Sequence, residues 1–242
     1  MCSSDLKLAL EALDAELARH APRIRRGRGD ELARTARRDK FDAFDRLAAS
    51  GETQVLPERL VSDMRAVLPR DAVVVCDPGT PCPYFSAYYN MPVEGRHFIS
   101  NRAHGALGYS MAAAVGAHFG RPQAKCVAVM GDGSFGFTAG EMETIVRLRI
   151  PLMMVVVSNS VFGWIKASQK VGYQERYFSV DFGRTEHAKV AEAFGVKSWR
   201  VQDPAQLDAA IAAALAHPGP ALIDVVSQQL QDAATPVSQW MG

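Results

Sequence analysis

The sequence predicts a doubly wound α/β fold, in which a parallel sheet is covered by helices on both faces. From about residue 55, helical patterns alternate with short, wholly apolar runs such as VVVC, which ends at Cys76, and LMMVVV, which begins at Leu152. Strands that are apolar at every position are buried on both faces, as in parallel sheets. The 242 residues, 48% hydrophobic and 22% charged, suffice for one sizeable core plus an appendage.

The individual elements follow from apolar periodicity and from the positions of Gly and Pro. The amphipathic run from Leu6 to Arg19 predicts a helix, and weaker helical propensity continues to about Ser50. Beyond it we predict helices over residues 57–68, 105–119, 138–148, 188–194 and 204–216, and strands over residues 72–76, 126–130, 152–157, 197–201 and 221–226. Residues 171–184 are predicted to form a mobile loop over the site described below.

Three segments are expected along the chain. Residues 1–50 are predicted to be the helical tail of a preceding domain and a connector, residues 51–228 the α/β domain, and residues 229–242 a C-terminal tail. Residues 2–6 (CSSDL) can be back-translated into the end of a sequencing-library adapter. We therefore hypothesise that the authentic upstream coding sequence is missing, which resequencing of the gene would test.

Charge and cysteine usage exclude several classes of protein. A net charge of +1 gives no reason to expect binding to nucleic acid or to an anionic membrane surface. The basic stretch from Arg23 to Arg38 also contains Asp30 and Glu31, which is typical of a solvated helix face or a linker. The four cysteines lack metal-ligand spacing, and no apolar run could span a bilayer. We therefore expect a cytoplasmic protein.

Polar residues follow two of the predicted strands directly. Gly131-Asp132-Gly133-Ser134-Phe135 comes after one strand, and Ser158-Asn159-Ser160-Val161-Phe162-Gly163 comes after the next. Ligands of open parallel sheets bind beyond the carboxyl ends of the strands. Between the two segments, Thr138 and Glu141 have the spacing of a capping box, which predicts that a helix starts there.

These residue types suit a metal bound together with a diphosphate. Asp132 offers an anionic oxygen and Asn159 a neutral amide oxygen, the ligands that Mg²⁺ prefers. Gly131 and Gly133 lack Cβ atoms, so backbone N–H groups can approach phosphate closely. A lone Gly-Asp-Gly is a weak signal, because it occurs in many turns and calcium loops, although no further Asp/Asn ladder supports an EF-hand. Its pairing with Asn159, 27 residues later, is the stronger observation.

This combination resembles the diphosphate-binding motif of thiamine diphosphate enzymes, in which an Asn follows Gly-Asp-Gly after a spacer of this size. It is most similar to the acetolactate synthase-like and 2-oxo acid decarboxylase family. The upstream segment His104-Gly105-Ala106-Leu107-Gly108-Tyr109 fits the same pattern. The resemblance covers roughly residues 51–228, and its motifs are specific for the cofactor but say little about the substrate.

The resemblance implies a role for each matching residue. Asp132 and the Asn159 side chain would bind Mg²⁺, together with the main-chain carbonyl of Val161. Leu107 would lie beneath the cofactor and force its bent conformation, while the Gly105 carbonyl and the Leu107 N–H would hold the aminopyrimidine. The other implied cofactor contacts are Gly79, Thr80, Gly131, Gly133, Ser134 and Gly163.

Three further positions are less clear from the sequence. The family often has Asn-Asn where this chain has Ser158-Asn159, so the metal ligand is kept but the role of the first position in shaping the loop is open. His104 lies beside the implied aminopyrimidine contact and is a candidate for contacting substrate. Phe162, Trp164 and Lys166 follow the segment that carries Asn159, where a segment that covers the cofactor would lie.

The resemblance implies decarboxylation or carboligation of a small 2-oxo acid, for which the cofactor is the electron sink. The activating glutamate of the family lies in a separate pyrimidine-binding domain, and no second α/β domain is visible here. We expect that domain to come from a missing N-terminal region or from another chain, and we expect little turnover by this chain alone. The family builds its sites between chains, so a homo-oligomer is expected, with an interface at Gly105 and Leu107.

Three hypotheses remain open from the sequence. The first is the C-terminal domain of an acetolactate synthase-like enzyme, incomplete as it stands. The second is one subunit of a naturally split thiamine diphosphate decarboxylase. The third is a non-catalytic α/β nucleotide-binding module that uses Gly-Asp-Gly as a turn.

Overall fold

The computed structural model describes residues 5–20 and 27–233. Residues 1–4, 21–26 and 234–242 lie outside it, and with them most of the adapter-like start, part of the basic stretch and most of the predicted tail. The chain divides into two compact units, residues 1–42 and residues 43–242. The first unit contains α1 (Leu6–His20), which has no buried residue, and the start of α2 (Gly29–Ala48). The predicted boundary at residue 50 remains a prediction.

The second unit is built on one sheet of six parallel strands in the order β2-β1-β3-β4-β6-β5. The strands are β1 (Val73–Cys76), β2 (Phe98–Ile99), β3 (Cys126–Gly131), β4 (Met153–Ser158), β5 (Lys197–Val201) and β6 (Ala221–Val226). The predicted α/β class with a parallel sheet is therefore confirmed. The central strands β1, β3 and β4 are buried almost throughout, as their continuous apolar sequences require.

Helices cover both faces of this sheet. On one face, Met111, Phe135, Met142, Ile145 and Ala191 form a core with alternate strand residues. On the other face α3 packs against α4 and α10, and these two helices contact strands of the sheet. The helices of this unit are α3 (Pro57–Val67), α4 (Pro81–Tyr88), α5 (Tyr109–Gly120), α6 (Asp132–Thr138), α7 (Glu141–Arg147), α8 (Gly163–Gly172), α9 (His187–Ala193) and α10 (Leu207–Ala216).

Two predicted helix starts are wrong. The helix predicted from residue 105 begins at Tyr109, because Gly105 and Gly108 have φ angles of 74° and 82°, which a right-handed helix cannot contain. The predicted capping box at Thr138 does not form. Thr138 ends α6, its hydroxyl is buried without a hydrogen-bond partner, and Gly140 precedes α7 instead.

Four elements were not predicted: α4, β2, α6 and α8. α4 contains two prolines, α6 contains two glycines and β2 has only two residues, so their local propensity is weak. The predicted helix over residues 204–216 divides into a 3₁₀ turn (Pro204–Gln206) and α10, and a second 3₁₀ turn spans Leu230–Asp232. No helix in the described part of the chain has both the length and the apolar character needed to cross a membrane.

Candidate functional site

Most of the residues singled out from the sequence, though not Asn159 or His104, meet at the carboxyl ends of β1, β3 and β4. They surround a cavity of about 230 Å³, which we call the cofactor cavity. Its walls are Pro78, Gly79, Thr80, Gly105, Leu107, Gly131, Asp132, Gly133, Ser134, Val161, Phe162, Gly163, Trp164 and Ile165. The structure therefore brings every implied cofactor contact together with Asp132 and Val161, although these residues are spread over 85 positions of the chain.

Asp132 joins the ends of β3 and β4. It is buried, its Oδ2 accepts hydrogen bonds from the N–H groups of Asn159 (2.8 Å) and Ser160 (2.6 Å), and its Oδ1 accepts one from the N–H of Gly133 (2.9 Å). Burial raises the pKa of the Asp132 carboxyl, and the hydrogen bonds from Ser160, Gly133 and Asn159 only partly oppose this rise. A cation placed beside Asp132 would stabilise its charged form.

Asn159 is held by its backbone, while the nitrogen of its side-chain amide has no hydrogen-bond partner. Its carbonyl accepts a hydrogen bond from Gln229 Nε2 at 2.9 Å, and its Nδ2 is buried without a hydrogen-bond partner. Asn159 borders a second, polar cavity of about 510 Å³ rather than the cofactor cavity. The oxygen and nitrogen of an amide are interchangeable in position, so a buried amide without a partner is a natural ligand donor.

The segment Ser158–Val161, which we call the metal loop, makes a sharp turn after β4. Ser160 has a φ of 58°, and the chain then runs beside residues 180–182, where Phe162 N–H donates to Val180 O at 2.9 Å. Val161 is buried, and its carbonyl accepts no hydrogen bond from the described residues. A carboxylate, an amide and a free carbonyl are thus available, a set of the kind that Mg²⁺ binds.

Clusters of three or more His, Cys, Asp or Glu side chains suited to a metal are absent from residues 5–20 and 27–233. The set above contains only one carboxylate and is of another kind. Such a set suits an ion that also takes phosphate oxygens as ligands.

Two glycines allow side chains to approach the cavity closely. A Cβ at Gly133 would lie 2.7 Å from Cε1 of Phe162, and a Cβ at Gly163 would lie 2.7 Å from Thr80 Oγ1. A larger residue at either position would therefore have to displace Phe162 or Thr80. Phe162 lies over the first turn of α6, so the residue after the metal loop is in contact with the Gly-Asp-Gly segment.

The opposite wall is formed by Leu107 and Gly79. A Cβ at Gly79 would lie 3.6 Å from Leu107 Cδ2, in ordinary contact. Leu107 sits in the turn between Gly105 and Gly108, whose positive φ angles shape the segment before α5. Asp77 holds the start of α5 from the end of β1, since its carboxylate accepts hydrogen bonds from Tyr109 N–H (2.8 Å) and Ser110 Oγ (2.5 Å).

His104 is not brought into the site. It is exposed and is absent from the walls of the cofactor cavity and of the larger cavity next to it. Its backbone lies in a turn, where its N–H donates to Asn101 O, and this turn directs the chain toward Gly105. The adjoining cavity has a volume of about 660 Å³, shares Pro78, Gly105 and Trp164 with the cofactor cavity and has Arg102 in its wall.

A buried polar cluster behind the metal loop was missed by sequence analysis. Ser158 Oγ lies 2.5 Å from Asp224 Oδ1 and 2.9 Å from His187 Nδ1, and Arg200 Nη1 lies 2.6 Å from Asp224 Oδ2. The available signal was Asp224 itself, a charged residue within the apolar strand sequence ALIDVV. A buried charge implies partners, but not which residues supply them. Sequence analysis also missed Gln229, which lies in the predicted tail and donates to the carbonyl of Asn159.

Comparison with known protein families gives one match that covers more than half of the chain. The family described as "Thiamine pyrophosphate enzyme, C-terminal TPP binding domain" matches residues 77–225. The matched segment begins directly after β1 and includes the Gly-Asp-Gly segment, the metal loop and the strands from β2 to β5. It ends one residue before the end of β6.

Curated relatives are similar over the same region. Acetolactate synthase of Bacillus subtilis (strain 168) is 34% identical over 169 residues, which cover 70% of this chain and 29% of that protein. The large subunit of acetolactate synthase isozyme 2 of Escherichia coli (strain K12) is 30% identical over 165 residues, which cover 68% of this chain and 30% of that subunit. The match thus spans less than a third of either relative.

A solved structure shows the same fold. The thiamine diphosphate-dependent 4-hydroxybenzoylformate decarboxylase of Rhodococcus jostii RHA1 aligns with a TM-score of 0.70 at 23% identity, over 76% of this chain and 34% of that one. At this identity the likeness concerns the fold alone.

Proposed function

This chain belongs to the thiamine pyrophosphate enzymes, as a C-terminal TPP-binding domain, and we propose that it binds thiamine diphosphate through Mg²⁺ in the cofactor cavity. The observation that carries the proposal is that Asp132 and Val161 line the cofactor cavity, while the hydrogen bond from Asn159 N–H to Asp132 Oδ2 places Asn159 directly behind its wall. The family match supports the cofactor, and the ligand chemistry of these three residues supports the metal.

Asp132, the Asn159 side chain and the Val161 carbonyl would hold Mg²⁺. The buried Asp132 carboxyl would gain a cation that offsets its desolvation, and the Asn159 amide and the Val161 carbonyl would gain the partner that the protein does not supply. The remaining positions around the ion would be taken by diphosphate oxygens and water.

The diphosphate would lie against the start of α6. The first N–H groups of a helix lack partners within the helix, and they favour a bound anion. Ser134 provides such a group, while Gly133, whose N–H already donates to Asp132 Oδ1, and Gly131 offer backbone without a Cβ. Gly79, Thr80 and Gly163 would complete the surroundings from β1 and α8.

The thiamine rings would extend toward Leu107 and Gly105. Leu107 would support the bent cofactor from below, and the Gly105 carbonyl and the Leu107 N–H would orient the aminopyrimidine. When bound, the cofactor supplies the electron sink for decarboxylation, and the protein supplies orientation and electrostatics. The fixed backbone of the turn between Gly105 and Gly108 suits this orienting role.

The adjoining cavity of about 660 Å³ is proposed to take the 2-oxo acid. Arg102 in its wall would pair with the carboxylate of the substrate, since a guanidinium binds carboxylates in two-pronged geometry. Arg102→Gln should weaken the binding of 2-oxo acids to the cofactor-loaded chain about tenfold and leave thiamine diphosphate affinity unchanged. Ligand-observed NMR would measure this, with Arg147→Gln on α7 as the control. Equal binding by both variants would reject this role for Arg102.

We propose that the complete active site needs a pyrimidine-binding domain and that the protein forms a homo-oligomer. The surface around the turn supports an interface, because Phe137, whose Cβ lies next to Gly108, is 66% exposed. The chain by itself is expected to bind the cofactor but to turn over little substrate. Of the two catalytic arrangements, an incomplete acetolactate synthase-like enzyme and a naturally split decarboxylase, neither is favoured by the geometry.

The direct test of the proposed function is calorimetric titration of thiamine diphosphate into the purified chain, with Mg²⁺ and with EDTA. We expect saturable binding that requires the metal. Thiamine monophosphate, which lacks the second phosphate, should bind at least about tenfold more weakly. Absence of binding even when a pyrimidine-binding domain of the family is added would contradict the proposal.

A further inference from the structure

We propose that Ser158 and His187 are positioning residues for the metal loop and that they set the affinity of the site for Mg²⁺. The inference rests on the proposed function, since it concerns the same metal. Neither side chain lines the cofactor cavity, so any effect on the metal would have to pass through the loop.

The hydrogen bonds around Ser158 have a fixed direction. A hydroxyl has a single proton, and the Asp224 carboxylate, 2.5 Å from Ser158 Oγ, can only accept. Ser158 therefore donates to Asp224 and must accept from His187 Nδ1, which lies 2.9 Å away. The proton of the His187 ring is thus on Nδ1, and the chain of donors runs from His187 through Ser158 to Asp224.

Asp224 anchors this chain. It is fully buried on β6, and it also accepts hydrogen bonds from Arg200 Nη1 on β5 and, at 3.4 Å, from the N–H of Ala188 on α9. Burial would raise the pKa of the Asp224 carboxyl, but the nearby ring of His187, whose Nδ1 lies 3.6 Å from Oδ1, the hydrogen bond from Ser158 and the charge of Arg200 hold this pKa below its ordinary value. Asp224 is therefore a charged anchor held by three elements.

The metal loop is consequently held by hydrogen bonds on both of its sides. On one side the N–H groups of Asn159 and Ser160 donate to Asp132, and on the other side Ser158 donates to Asp224. The Ser158 carbonyl also accepts a hydrogen bond from the N–H of Ser227 at 2.9 Å. Two buried carboxylates, on β6 and just after β3, thus fix the backbone that carries the proposed ligands.

His187 adds a second connection. Its ring meets the ring of Phe135 edge-on, with centroids 5.2 Å apart. Phe135 belongs to α6, the helix that begins at Asp132. His187 therefore contacts both the loop that carries Asn159 and the helix that carries Asp132, and it fixes their separation.

The effect on the metal follows from the geometry that Mg²⁺ demands. Mg²⁺ requires a nearly ideal octahedron, so a small displacement of one ligand weakens binding. Groups that orient metal ligands from behind typically change metal affinity by about 10- to 100-fold when they are removed. Ser158→Ala and His187→Phe should each weaken the apparent Mg²⁺ affinity about tenfold.

The test compares four variants in calorimetric titrations of Mg²⁺ at saturating thiamine diphosphate, with unfolding midpoints measured in parallel. Ser158→Ala removes the donor to Asp224, and His187→Phe keeps the contact with Phe135 but loses the N–H. His187→Asn restores an N–H near the position of Nδ1 and should recover most of the affinity. Ser198→Ala is the matched control, because it removes a buried hydroxyl that bonds to Ala188 O on α9 without touching the metal loop.

The outcomes separate this inference from the proposed function. The inference predicts weak Mg²⁺ binding in Ser158→Ala and His187→Phe, recovery in His187→Asn, and wild-type affinity in Ser198→Ala even if its stability falls. Wild-type affinity in both of the first two variants would overturn the inference and leave the proposed function intact. If the unaltered chain bound no Mg²⁺ with the cofactor even after a pyrimidine-binding domain of the family had been added, both would be overturned together.

Discussion

Glu58 is a buried carboxyl on α3, away from the candidate site, and it carries a measurable electrostatic cost. Glu58 is only 3% exposed, and this burial raises the pKa of its carboxyl from the ordinary 4.5 to about 6. A backbone hydrogen bond partly opposes the rise. The folded state therefore binds this proton more tightly than the unfolded state. The stability that protonated Glu58 contributes is complete below about pH 4.5 and is lost as the pH rises through about 6.

Replacing Glu58 by Gln should remove this pH dependence. At pH 7–8 we expect Glu58→Gln to raise the free energy of unfolding by about 1–2 kcal/mol, with no gain near pH 4.5. Urea unfolding at several pH values measures this difference. Glu143→Gln, at an exposed glutamate on α7, is the control and should change stability little. A gain that is equal at all pH values would show that packing, not charge, is responsible.

The site residues that were predicted and those that were missed differ in their position relative to the strands. Asp132 and Asn159 could be predicted because they follow apolar strands directly, and parallel strands end at one edge of a sheet. His187 and Gln229 lie outside the strands, and their contacts with the metal loop depend on how α9 and the second 3₁₀ turn pack. His104 was a candidate because of its neighbours in sequence, but it lies exposed in a turn.

Among the elements, α6 determines how closely Phe162 approaches the proposed diphosphate site. Gly133 and Gly136 are both in α6, but only at Gly133 would a Cβ meet another atom, at 2.7 Å from Phe162. The two positions therefore form a matched pair in one helix.

Gly133→Ala should displace the Phe162 ring and weaken thiamine diphosphate binding about tenfold, with some loss of stability. Gly136→Ala should keep the affinity and raise the free energy of unfolding by up to about 1 kcal/mol, because Ala is the better helix former. Calorimetry and thermal unfolding of both variants provide the measurement. Unchanged affinity in Gly133→Ala would mean that Phe162 can move at no cost to the site.

The elements that sequence analysis identified share a strong apolar pattern. Strands β3 and β4 are apolar at almost every position, so a buried parallel sheet was predictable. Helices α4, α6 and α8 contain Pro, Gly or short polar runs, and they form because tertiary packing stabilises them. The turn at Gly108 could not be predicted from the sequence, since the residues around it fit a helix while its φ of 82° requires a turn.

For the whole molecule, the comparisons and the fold support the proposal that activity needs more than this chain. The match spans less than a third of its curated relatives, and the described residues of the second unit form one sheet with one proposed cofactor site. A chain that supplies the proposed metal and diphosphate contacts, but no pyrimidine-binding domain, is expected to bind the cofactor without turnover. Activity is expected when the pyrimidine-binding domain is supplied.

The central claim is metal-dependent binding of the diphosphate at Asp132, and Asp132→Asn tests it most directly. This change keeps the shape of the side chain and removes its charge. In calorimetric titration with Mg²⁺, the account predicts that Asp132→Asn weakens thiamine diphosphate binding about 100-fold, or roughly 3 kcal/mol. Asp63→Asn, at a buried aspartate that pairs with Arg59 on α3, should bind as the unaltered chain does. Equal affinity of Asp132→Asn and Asp63→Asn would contradict the account.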